Sequence, residues 1–459
     1  MKYHNLILKY GFYPLSIALV LTLGPLLSSV PSTAHASKKI EPVRVVLKNG
    51  ITILVVETHA LPVVNISVTV KTGSVYDPPE KAGLSSLTAA LLDEGTKTRS
   101  SQQIADEMDF IGGKLSTGGG TDFSTASLVV LKKDIKTGLD ILSDVLMNPV
   151  FPEEEVERKK KEVIGAIISD KDDPGSVASK AFYKAVFKNH PYGIPGEGDE
   201  ESVVNISRDD IVKFFNTYYR PNNTIMAVVG DVDIKEVVTL IETYFKSWKK
   251  AEISFPTIPS AGKVEKKESV LIDRDITQAN IMLGHVGISR DNPDFYAVHV
   301  MNYILGGGGF SSRLTKEIRD NKGLAYSVHS GFDINKYPGA FTVSIQTKNE
   351  TTQVAVEGIL VELKKIREEQ VSDEELNDAK SYLTGSFPLK LDTNSKISSY
   401  LVFIEFYNLG LDYFDAYKKK IEAITKDDII RAAKKYIDPE NYVIVAVAKQ
   451  KDAGLKELE

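Results

Sequence analysis

Residues 43–56, VRVVLKNGITILVV, place two apolar, β-branched runs on either side of Asn49-Gly50, the pattern of a two-stranded hairpin. Residues 63–70 continue the same sheet. Helical spacing of apolar positions covers residues 82–92 and 101–111, residues 121–131 read as a strand, and residues 132–147 and 152–169 predict two further helices, the second highly charged. Ser207-Arg208-Asp209-Asp210 is a good helix start for residues 207–219, and residues 224–230 form a buried-strand pattern. Pro256, Pro259, Ser260 and Gly262 punctuate a linker over residues 251–267.

The second part of the chain repeats this grammar. Residues 206–230, ISRDDIVKFFNTYYRPNNTIMAVVG, match residues 424–448, ITKDDIIRAAKKYIDPENYVIVAVA, at an offset of 218. Residues 151–166, FPEEEVERKKKEVIGA, match residues 371–386, VSDEELNDAKSYLTGS, at an offset of 220. Two matches at nearly one offset predict two homologous α+β domains, residues 37–250 and 268–459, each with a mainly antiparallel sheet and helices packed on it.

Composition narrows the function. The 459 residues, 42% hydrophobic and 26% charged, suit a globular protein of more than one domain. A net charge of −6 without a basic run argues against a nucleic-acid partner. The absence of cysteine excludes disulfides, thiolate metal sites and a lipid anchor on cysteine. Lys2 and Lys9, the apolar residues 15–27 and then Ala34-His35-Ala36 have the form of a secretory signal over residues 1–36, cleaved after Ala36. The expected location is a periplasm or the cell exterior. Residues 12–30 are nearly long enough to be retained as an anchor instead.

One stretch concentrates candidate chemistry: residues 304–328, ILGGGGFSSRLTKEIRDNKGLAYSV. Gly306, Gly307, Gly308 and Gly309 oppose helix, because glycine loses the most backbone freedom on ordering, and predict a flexible loop. Residues 310–320 follow as a helix stopped by Gly323. Leu324, Tyr326 and Val328 alternate as in a half-buried strand. Arg319 and Tyr326, a cationic fork and a phenolic donor, fall at a helix end and an adjoining strand. Taken alone, Arg319 also suits the helix dipole and Tyr326 suits packing.

This string resembles the C-terminal half of the pitrilysin/insulinase family of zinc peptidases, which includes the mitochondrial processing peptidase. In that family a glycine-rich loop precedes SRL, a helix ending in arginine, and GLAYS. The resemblance implies that Arg319 and Tyr326 hold the substrate backbone and steady an oxyanion at a zinc site supplied from elsewhere. The paired halves extend it over essentially the whole chain after residue 36.

Active family members carry His-x-x-Glu-His on a first-half helix and a further glutamate downstream. Two imidazoles on one helical face then grip zinc while the intervening glutamate activates its water. The matching segment here, AGLSSLTAALLDEGT, holds Ser86, Ala89 and Ala90 at those positions, and Ala166 stands where the downstream glutamate would be. Serine and alanine are not zinc ligands, so no metal is expected on this chain. A nucleophilic Ser85 or Ser86 would need a base, and none is suggested nearby. His59, His190, His285, His299 and His329 are dispersed, and none pairs with an acid at ligand spacing.

Retention of the Arg/Tyr pair without the zinc set is the pattern of the family's non-catalytic subunits. It implies a heterodimer or larger assembly in which a partner bearing an intact motif brings the zinc, and a peptide or unfolded polypeptide as substrate. A scaffold or peptide-binding chaperone without a proteolytic role is the alternative.

Overall fold

The computed structural model describes residues 40–455; the expected targeting segment lies outside them. No helix among the described residues is long and apolar enough to cross a membrane.

Among the described residues eleven strands form two sheets. The first contains β1 (Val43–Val46), β2 (Thr52–Glu57), β3 (Val63–Val70), β4 (Lys114–Gly119), β5 (Ser124–Leu131) and β6 (Thr224–Gly230), in the order β1-β2-β6-β3-β5-β4. The second contains β7 (Glu268–Asp273), β8 (Gln278–Val286), β9 (Ala325–Ile334), β10 (Pro338–Lys348) and β11 (Val443–Ala448), in the order β7-β11-β8-β10-β9. The Asn49-Gly50 hairpin forms as the pattern predicts, with Val46 opposite Thr52 and Gly50 at φ 99°.

The repeat is visible in the topology. Helices Arg208–Tyr218 and Lys426–Tyr436 each open with a capping box, Ser207 with Asp210 and Thr425 with Asp428. Each leads into a fully buried strand, β6 or β11. These two strands hold equivalent places, parallel to β2 or β7 on one side and antiparallel to β3 or β8 on the other. Each sheet therefore has one parallel pair in an otherwise antiparallel ladder. The first sheet adds only β1.

The halves exchange helices. Pro174–Phe187, from the first half, packs on β8 and β11 of the second sheet. Asn394–Phe406, from the second, packs on β3 and β6 of the first. Ser67 on β3 and Ser398 on the visiting helix share a buried hydrogen bond of 2.8 Å. Arg44 of β1 forks onto Glu405 at 2.8 and 3.1 Å. One apolar cluster consequently mixes Leu54, Ile225, Ala227 and Val229 of the first sheet with the second half's core. Residues 251–267 carry no regular secondary structure, and Phe255 within them packs on Tyr76 and Tyr218.

Two sequence expectations change, and one strand was not foreseen. Strand β4 has no strong apolar alternation in KLSTGG, and it forms because β5 offers a partner along its whole length. The strand expected over 121–131 starts only at Ser124, since Gly120–Asp122 turn the chain. The loop expected over Gly306–Gly309 is in part helix: Gly306 and Gly307 close a π-helical turn, Tyr303–Gly307, while Gly308 and Gly309 make the turn that follows.

Candidate active site

The helix matching the family's zinc helix is Leu84–Ala90, entered through Gly83 at φ 95°. Asp77 holds its first turn, Oδ2 accepting the Gly83 N–H at 3.1 Å and Oδ1 the Ser85 N–H at 3.0 Å. Burial pushes the Asp77 carboxyl well up, against the pull of those backbone donors.

The face that would carry ligands meets backbone instead. The Ser86 hydroxyl donates to the Gly196 carbonyl at 2.6 Å. Gly119 of β4 comes so close that a Cβ there would lie 2.6 Å from Ser86 Cα. Ala89 is fully buried and Ala90 half-buried, whereas Ala166 on helix Glu153–Asp170 is exposed. Among the described residues no three His, Asp or Glu side chains gather as a metal-holding group. Hydroxyl and methyl groups facing carbonyl and glycine backbone do not fit zinc.

Arg319 lies in a second π-helical turn, Thr315–Asn321, that closes at Gly323 with φ 63°. Its guanidinium carbon is 4.7 Å from the Phe310 ring centre and 5.7 Å from that of Tyr326. Its acidic neighbour, Asp320, is 3.8 Å away. Phe310 is 73% exposed and Tyr326 83% exposed, so a guanidinium flanked by two rings faces solvent. Tyr326 was expected on a half-buried face with Val328. Val328 is buried, but Tyr326 is not.

Sequence reasoning did not single out Phe310; the signal available was an aromatic directly after four glycines, where burial was not required. It also passed over Arg313 of the SRL string. That side chain forks onto Glu375 at 2.6 and 2.9 Å, and desolvation of Glu375 is outweighed by the guanidinium, which holds its carboxyl down at about 2. Glu375 also accepts the Ser372 N–H as part of a capping box. Arg313 thus ties the Phe310–Arg319 segment to helix Asp373–Ser386.

The histidines stay apart. His59 bonds to Asp231 at 2.6 Å, His190 to the Tyr192 N–H at 3.1 Å, and His285 spans the Val286 carbonyl and Asp438 N–H. His299 approaches the Tyr417 hydroxyl at 3.3 Å, and His329 pairs across strands with Ser344 at 2.8 Å.

Comparison with known proteins agrees with this architecture. The profile of insulinase (peptidase family M16) matches residues 52–200, and that of the peptidase M16 inactive domain matches residues 205–383. An uncharacterized zinc protease of Rickettsia bellii is 31% identical over 347 residues, 75% of this chain and 82% of its own. One of Bacillus subtilis is 29% identical over 359 residues, covering 77% and 86%. A crystal structure of a peptidase M16 inactive domain from Pseudomonas fluorescens superposes with a TM-score of 0.84 at 28% identity, over 89% of this chain and 98% of that one. A protease from Helicobacter pylori shares the fold, with a TM-score of 0.83 at 22% identity over 89% and 100%. The chain belongs to peptidase family M16, as a two-domain member whose first-half helix lacks the residues to hold zinc.

Proposed function

We propose that this chain is the non-catalytic subunit of a secreted or periplasmic M16 metallopeptidase, contributing peptide binding and oxyanion stabilisation to a zinc-bearing partner. The observation that carries this reading is the exposed Phe310–Arg319–Tyr326 cluster on a chain whose counterpart of the zinc helix has no ligands. A buried structural arginine is normally consumed by carboxylates, as Arg313 is; Arg319 makes only a long contact of 3.8 Å to Asp320. In the shared site Arg319 holds a peptide carbonyl or carboxylate, and the Tyr326 hydroxyl donates to the developing oxyanion. The metal and the water it activates come from a partner chain with His-x-x-Glu-His. The secretory form of residues 1–36 supports the location.

The test is co-purification with an M16 chain that has the intact motif, followed by peptide cleavage. The expected result is activity in the pair and none in this chain alone. Tyr326→Phe is expected to lower turnover of the pair by about 10²–10³-fold, the scale for losing one oxyanion donor. Unchanged turnover in that variant discards the shared site. Peptide binding without any cleavage, in every pairing, favours the scaffold or chaperone alternative.

A further inference from the structure

A second site lies away from the Arg319 cluster, at the seam between the halves. A cavity of about 610 Å³ opens between helix Pro174–Phe187, the loop through Gly196 and the end of β9, a volume in the range of ligand pockets. Its walls include Tyr183, Phe187 and Tyr192. Asp333 faces it from β9.

The charges in this cavity do not balance. Lys180, on the same wall, is held at 3.0 Å by both Asp170 and Glu197, so it is committed to them. Asp333 receives only neutral donors, the Tyr183 hydroxyl at 2.7 Å and the Ala340 N–H. Desolvation accordingly pushes its carboxyl up from the ordinary range, and no cationic neighbour counters it. Gly339 fixes the backbone there, since a Cβ on it would lie 2.1 Å from the Asp333 carbonyl oxygen. An immobilised, uncompensated carboxylate among aromatic rings is complementary to a delocalised or alkylated cation.

We propose that this cavity binds a basic side chain of a polypeptide, the guanidinium or ammonium group pairing with Asp333 and packing against Tyr183. The site is independent of the Arg319 cluster and of any partner chain, and it would engage both halves at once.

The experiment is calorimetric titration of the full chain with two capped pentapeptides, glycine throughout except for a central arginine or its neutral isostere citrulline. The arginine peptide is expected to bind at least ~10-fold more tightly, the scale for one desolvated charge pair. Asp333→Asn is expected to erase that preference, while Glu197→Gln preserves it. Ser179→Trp, which fills the cavity and leaves the carboxylate in place, is expected to abolish arginine binding and serves if Asp333→Asn does not fold. Equal affinity for the two peptides in the unmodified chain overturns the proposal. So does an arginine preference that survives Asp333→Asn or Ser179→Trp.

Discussion

Arg313 and Arg319 stand six positions apart and do different work. Arg313 is largely buried and forked onto Glu375, while Arg319 is flanked by rings and half open to solvent. Arg313→Ala leaves Glu375 partly buried without its cation, and a loss of about 2–3 kcal/mol is expected in urea unfolding. Arg319→Ala removes no comparable internal bond. A second residue-scale consequence concerns acid. Burial lowers the His285 pKa, and burial together with nearby Lys390 and Arg290 lowers that of His299 to about 4. The unfolded chain then takes up protons at about 6.5 that the folded chain refuses, so stability is full above about 6.5 and falls as pH drops toward about 4. Unfolding midpoints measured across that window should decline, and less steeply in His299→Gln.

At the level of elements, the two π-helical turns Tyr303–Gly307 and Thr315–Asn321 bracket Phe310. Such widened turns are rare and gather at functional sites. The first exists because the chain presses against β9: a Cβ on Gly306 would lie 2.5 Å from Ser330 Oγ and 2.6 Å from its nitrogen. Asn302 pins the same place, donating to the Ser330 carbonyl at 3.2 Å. Gly306→Ala must push β9 and the helix apart, and a cost of about 1–3 kcal/mol in unfolding is expected. Were the glycines only a flexible tether, alanine there would be neutral or stabilising.

Across the whole molecule, each half lends a helix to the other's sheet, and polar contacts lock the seam. Asp122, buried beside β5, accepts the Tyr192 hydroxyl at 2.6 Å and the Lys336 N–H at 2.8 Å. Lys336 in turn donates to the Tyr76 hydroxyl at 2.9 Å. Cutting the chain in the linker strips β3 and β6 of the helix Asn394–Phe406. Fragments 37–250 and 268–459, made separately, are therefore expected to lack a cooperative thermal transition and to regain one when co-expressed. Two independent sharp transitions would show that each half is self-sufficient.

Much was already written in the residue pattern. Asn49-Gly50 dictates its own hairpin, because the positive φ at that turn falls on Gly50. The offset of 218 to 220 announces two copies of one topology, and Ser86, Ala89, Ala90 and Ala166 put no zinc-ligand side chain at the family's four positions. These are local facts, settled by side-chain identity or by neighbours a few positions away. Which half's helix covers which sheet, why Gly306 belongs to a helix, that Phe310 flanks Arg319, and that Asp333 is left without a cation depend on residues far apart in sequence. Only packing brings them within contact distance, so only the tertiary structure could decide them.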